Sequence, residues 1–115
     1  MASNDELTVP QEDLAQAWQR TLPERLHGGD KAEVLADGAD PQTLRVHIQS
    51  AGHQMLDFDF SVQYVDSREI HVELTDVEKD GQTVDERNDT IQELIADYRR
   101  HLHECAQALH HFTHA

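Results

Sequence analysis

Three stretches of two-residue alternation run through the middle of this chain and restrict the folds open to it. Leu44, Val46 and Ile48 alternate with Arg45, His47 and Gln49. Leu56, Phe58, Phe60, Val62 and Tyr64 then alternate with Asp57, Asp59, Ser61 and Gln63, and Ile70, Val72 and Leu74 with His71, Glu73 and Thr75. Successive side chains on a strand point to opposite faces, so each stretch reads as a strand with one dry and one wet side. Such strands belong in an antiparallel sheet with its apolar face covered and its polar face in water.

The same alternation constrains the connections. A two-residue loop at Ala51-Gly52 would set Leu44 across from Asp59 and mix the two faces. A three-residue loop, Ala51-Gly52-His53, instead sets Val46 opposite Phe58, Arg45 opposite Asp59 and His47 opposite Asp57. The next loop is expected at Asp66-Ser67-Arg68, with Val62 opposite Val72. Residues 32–36 read as a preceding strand, ended by the turn signals Asp37-Gly38 and Asp40-Pro41. After Asp80-Gly81, residues 82–85 are expected to fold back onto the last strand.

Helical spacing brackets this sheet. Leu14, Trp18, Leu22 and Leu26 recur every four residues, with Thr8 and Gln11 as a capping box and Pro10 suited to the first turn. Pro23 removes a backbone donor and predicts a break there, and Gly28-Gly29 ends the segment. Ile91, Leu94, Ile95, Tyr98, Leu102, Cys105, Leu109 and Phe112 form one apolar stripe. Asp89 and Gln92 would cap that helix, which from Asp89 to Thr113 would be roughly 36 Å long. The predicted fold is α+β: an antiparallel meander of three to four strands packed by an N-terminal helix and a long C-terminal helix, in the order α-β-β-β-β-α. Residues 1–8 are expected to be a flexible terminus and residues 9–115 one domain.

Charge limits the partners. Nine Lys plus Arg stand against 23 Asp plus Glu, a formal net charge of -14. That field repels phosphate backbones and anionic lipid, which argues against nucleic-acid or membrane binding and for a basic protein partner, a cation, or no partner beyond solvent. Cys105 is the single cysteine, so the chain has no internal disulfide and no Cys-based zinc knuckle. The first residues lack a basic start and an apolar run, and no stretch approaches the roughly 20 apolar residues of a bilayer span, so a cytoplasmic location is expected.

Five histidines, His101, His103, His110, His111 and His114, crowd the C-terminus. His103, His110 and His114 fall on one helical stripe and are the candidate ligands for a borderline metal such as Zn²⁺, Ni²⁺ or Cu²⁺. Arg99 shares that stripe and opposes a cation, so a polar helix flank explains it equally. A second stripe, Glu93, Asp97, His101 and Glu104, reads as half a metal site or as surface ion pairs with Arg100. Asp76 to Gly81 resembles the opening of a calcium loop, but the twelfth position is Arg87 and the eighth Thr83, so a hairpin turn is expected. Cys105 sits at an apolar helical position and reads as a buried thiol.

The wet sheet face carries Arg45, His47, Asp57, Asp59, His71 and Glu73. Carboxylates beside a histidine suit general-base or metal chemistry only where water is excluded, which an open sheet does poorly. No phosphate loop, nucleophile elbow or dinucleotide fingerprint is present. The sequence therefore reads as a non-enzymatic protein-interaction module, through a protein partner or self-association as a homodimer, with Asp57, Asp59 and Glu73 as contact residues. Metal binding through the C-terminal histidines is the alternative.

Overall fold

The computed structural model describes residues 7–26, 29–50, 56–79, 82–84, 87 and 89–113. The alternating stretches become β2 (Thr43–Gln49), β3 (Leu56–Tyr64) and β4 (Ile70–Lys79), preceded by β1 (Lys31–Ala36) and followed by the two-residue β5 (Gln82–Thr83). Each strand pairs antiparallel with the next in the order β1-β2-β3-β4-β5. Helix α1 (Gln11–Thr21) precedes the sheet, and α2 (Asp89–Ala108) and a final turn, α3 (His110–Thr113), follow it. The fold is the expected α+β meander.

Both helices cover the same face. Val46, Ile48, Phe58, Phe60 and Val62 on the sheet pack with Leu14, Trp18 and Leu22 from the first helical segment and Tyr98, Leu102 and Cys105 from α2, all essentially inaccessible to water. Full burial of each large apolar side chain contributes about 1.5–3 kcal/mol. The polar atoms of the buried tryptophan and tyrosines are paired. Trp18 Nε1 donates to the Tyr64 hydroxyl at 3.0 Å, with the two rings edge-on. The Tyr98 hydroxyl meets Ser50 Oγ at 2.9 Å and Asp30 Oδ2 at 3.1 Å, while its ring lies 5.1 Å from that of Phe58. Burial pushes both tyrosine hydroxyls up to about 12.

At Pro23 the helix tightens into a 3₁₀ turn, Leu22–Arg25, and Gly29 follows with φ 94°, a backbone setting that disfavours side chains. The other helix ends differ from expectation. Pro10 is the N-cap of α1 without a side-chain cap bond, so the Thr8–Gln11 capping box does not form. The Gln11 amide instead donates toward the carbonyls of Asp37, Asp40 and Thr43 at 2.9, 2.9 and 2.8 Å, tying the helix start to the β1–β2 turn. Asp89 is already helical rather than a cap. The last helix breaks at Leu109, whose N–H reaches both Cys105 and Ala106 carbonyls. Beyond the break, the Thr113 hydroxyl donates to the buried Ser67 carbonyl at 2.9 Å and fastens α3 to the β3–β4 loop.

The β3–β4 register is as read, with Val62 opposite Val72 and the loop at residues 66–68 closed by Asp66 Oδ1, which accepts from the Arg68 and Glu69 N–H groups. The β2–β3 register is displaced by two residues: Val46 faces Phe60, Arg45 faces Ser61 and His47 faces Asp59. The Ser50 N–H donates to the Leu56 carbonyl at 2.9 Å in keeping with this register, and the loop expected at Ala51-Gly52-His53 lies outside the described residues. A shift of two preserves the inward and outward faces, so alternation could not distinguish the two registers. Strand β4 also runs four residues past its expected end. The pairing slips between Asp59 and Phe60, leaving Thr75 as the extra residue of a bulge, and Val77 returns to the core opposite Phe58.

The exposed backbone edges are partly occupied by helix side chains. The Gln19 amide donates to the Ala32 carbonyl at 2.8 Å and accepts from the Val34 N–H at 2.7 Å, imitating one residue of a neighbouring strand on β1. On the far edge, Arg99 Nη1 donates to the Val72 carbonyl at 2.8 Å. Unpaired edges invite strand addition, and these contacts reduce it.

Candidate binding face

The registers place the outward side chains in rows. Glu33, His47, Asp59 and Asp76 form one row across β1 to β4. Lys31, Gln49, Asp57 and Glu78 lie on one side of it, and Leu35, Arg45, Ser61 and Glu73 on the other. The helices lie on the opposite face, so these three rows meet solvent with six carboxylates against Lys31, Arg45 and His47. The twist and the Thr75 bulge shape the face into an open concavity of about 520 Å³, bordered by Glu33, Leu35, Arg45, Asp59 and Thr75. Leu35, 53% exposed, puts an apolar side chain at its rim.

His47 occupies the centre. Its Nδ1 lies 2.6 Å from Asp59 Oδ1, and its Nε2 lies 4.0 Å from Asp57 Oδ1. That Asp57 oxygen is shielded from solvent and has no hydrogen-bond partner among the described residues. Partial desolvation lowers the histidine's pKa, but the hydrogen bond and charge of Asp59, with the charges of Asp57 and Glu33, outweigh it and raise the pKa above the usual imidazole value. Asp59, Asp76 and Glu78 each bring one carboxylate oxygen within 4.8 Å of the others. Such an all-oxygen group suits a hard cation, a guanidinium or an ammonium.

Of the contact residues read from the sequence, Asp57 and Asp59 come together around His47, while Glu73 stands one row away, across from Ser61. Asp76 and Glu78 also join this face, opposite Asp59 and Asp57, where the sequence predicts a turn over 76–81. The available signal was Val77: an apolar residue out of phase with Ile70, Val72 and Leu74, flanked by acids, marks a strand that continues through a bulge. Asp80 and Gly81 lie outside the described residues.

The C-terminal histidines are arranged differently. His103 and His110 are exposed and line one groove of about 390 Å³ together with Arg68 and Glu69. Among the described residues no third His, Cys, Asp or Glu donor converges with them within 4.8 Å, and His114 lies outside those residues. On the neighbouring stripe Arg100 pairs with Asp97 at 3.2 Å at the surface, while the largely buried His101 ring brings Nδ1 to 2.9 Å from Glu104 Oε1. The His101 hydrogen bond holds the Glu104 carboxyl below its usual value. Cys105 is fully buried, and burial pushes its thiol up to about 12.

Comparison with protein-family models, with curated proteins and with solved structures finds no match to this chain.

Proposed function

We propose that this domain is a non-enzymatic protein-interaction module whose open sheet face receives a basic partner. The observation that carries the reading is the asymmetry of the sheet. One face is sealed by both helices, while the other stays bare and gathers Glu33, Asp57, Asp59, Glu73, Asp76 and Glu78 beside the half-exposed Leu35. Opposite charge across such a face speeds encounter and rejects acidic partners. An exposed apolar residue at its rim adds contact area that desolvates on binding.

A suitable probe is acetyl-Arg-Ser-Leu-Ser-Arg-amide, which in extended form presents both arginines and the leucine on one side. Titrated into the isotope-labelled chain, it should shift amide resonances of β2, β3 and β4. The triple variant Asp57→Asn, Asp59→Asn, Glu73→Gln should weaken binding about fivefold, the scale expected from losing several close charge contacts. Glu12→Gln, Asp13→Asn, Glu24→Gln removes the same charge from the helical side and should change affinity by less than about twofold, since distant charges are screened. Equal weakening by both variants would reduce the effect to net charge and defeat the assignment of the face.

A further inference from the structure

Resting on that reading, the geometry around His47 points to how the face is regulated. We infer that a basic partner binds by displacing the proton that His47 holds between Asp57 and Asp59, seating an arginine or lysine at Asp59, Asp76 and Glu78 and an apolar side chain on Leu35. Association then releases a proton and strengthens as the pH rises.

The bare face already contains an internal counter-ion. His47 is bracketed by Asp59 at 2.6 Å and Asp57 at 4.0 Å. Glu33 stands across from it on β1, with Lys31 and Leu35 to either side. Arg45 and Gln49 are its outward neighbours on β2, and Asp76 and Glu78 lie one strand further on, on β4. The close groups are overwhelmingly carboxylates, which favour the imidazolium form, in keeping with the raised pKa. An arriving guanidinium or ammonium must share Asp59 with that imidazolium, and two like charges on one carboxylate repel. Loss of the proton removes the conflict and leaves the imidazole neutral. Asp57 Oδ1, shielded and without a hydrogen-bond partner among the described residues, is a further acceptor beside His47.

A like charge held this close shifts a pKa by about one unit or more, so the forms with His47 protonated and neutral should differ by about tenfold in affinity. The full chain is titrated with acetyl-Arg-Ser-Leu-Ser-Arg-amide at pH values from about 5.5 to 8.5, while the His47 ring resonances report its own midpoint. Saturating peptide should lower that midpoint by about one pH unit, and affinity should rise about tenfold from the acid to the alkaline end. His47→Gln should remove most of this slope. His71→Gln, which alters an exposed histidine on the same face opposite Gln63, should keep it. A His47 midpoint unmoved by saturating peptide, with the peptide still bound to the face, overturns the proton linkage and leaves the interaction reading standing. Equal slopes in the wild type and His47→Gln do the same. Absence of binding at every pH overturns the interaction reading and this inference with it. Should His47→Gln fail to fold, the ring titration in the wild type decides.

Discussion

Replacing Gln11 by glutamate distinguishes two roles that residue type alone leaves equivalent. In a capping box, glutamate serves as well as glutamine, and its charge at a helix N-terminus adds about 0.3–1 kcal/mol. In the structure, however, Gln11 Nε2 is a donor facing three carbonyl oxygens at 2.8–2.9 Å. An amide nitrogen has two hydrogens, so three acceptors share two bonds. At about 0.5–1.5 kcal/mol per bond, with water replacing some of the loss at a half-buried site, Gln11→Ala should cost about 1–2 kcal/mol. An ionised glutamate cannot donate at all and must turn away from the carbonyls. It loses the same bonds and regains part through the helix dipole, for a net cost of about 1 kcal/mol at pH 7. The carbonyls raise its folded pKa above the unfolded value, so the penalty is present at neutral pH and diminishes as the pH falls through the folded pKa. Urea unfolding of Gln11→Glu, Gln11→Ala and wild type at about pH 7 and pH 4 measures these differences at constant m. A Gln11→Glu variant as stable as the wild type at pH 7, or more so, would refute the clamp and restore the capping role.

Two other outcomes follow from features remote from the acidic face. Cys105, fully buried with its thiol pushed up to about 12, should react with a soluble disulfide reagent only as fast as the chain opens; labelling in native buffer at the rate of a free thiol would contradict its placement. The double variant Gln19→Ala, Arg99→Ala frees the edge groups of Ala32, Val34 and Val72, and sedimentation should show a higher average mass than for wild type at equal concentration. Identical masses over a wide concentration range would show that these side chains do not guard the edges.

The sequence made the order of elements, the dry face and the break at Pro23 legible, because each rests on periodicity or on a residue with one dominant backbone effect. What it concealed was long-range. The displaced β2–β3 register keeps the same face pattern, so nothing local separates His47–Asp57 from His47–Asp59 opposition. Gln11 and Gln19 are eight residues apart on one helix, yet their partners lie in the β1–β2 hairpin, and no composition rule pairs an amide with a distant carbonyl. Asp57 and Asp59 were found because they alternate with Leu56, Phe58 and Phe60. Asp76 and Glu78 were hidden by a change of phase at Thr75, which ends a two-residue pattern in sequence but not in space. The histidine-rich end stood out in the sequence, whereas the structure sets His103 and His110 beside Arg68, a context that spacing along one helix does not reveal.

The way the two helices divide the sheet has a consequence for synthesis. Helix α1 lies against β1 and β2, whereas α2, with Tyr98 over Phe58 and Arg99 at the rim of β4, is made after every strand. While α2 is still within the ribosome, the greasy surface of the later strands lacks its lid, and hydrophobic surface left open on a nascent chain is where misassociation begins. The Thr113 latch onto Ser67 likewise joins a residue beyond α2 to the β3–β4 loop made well before it. For this molecule the vulnerable interval falls before residues 89–113 emerge, a period in which chaperone capture or slow translation would act on open apolar surface.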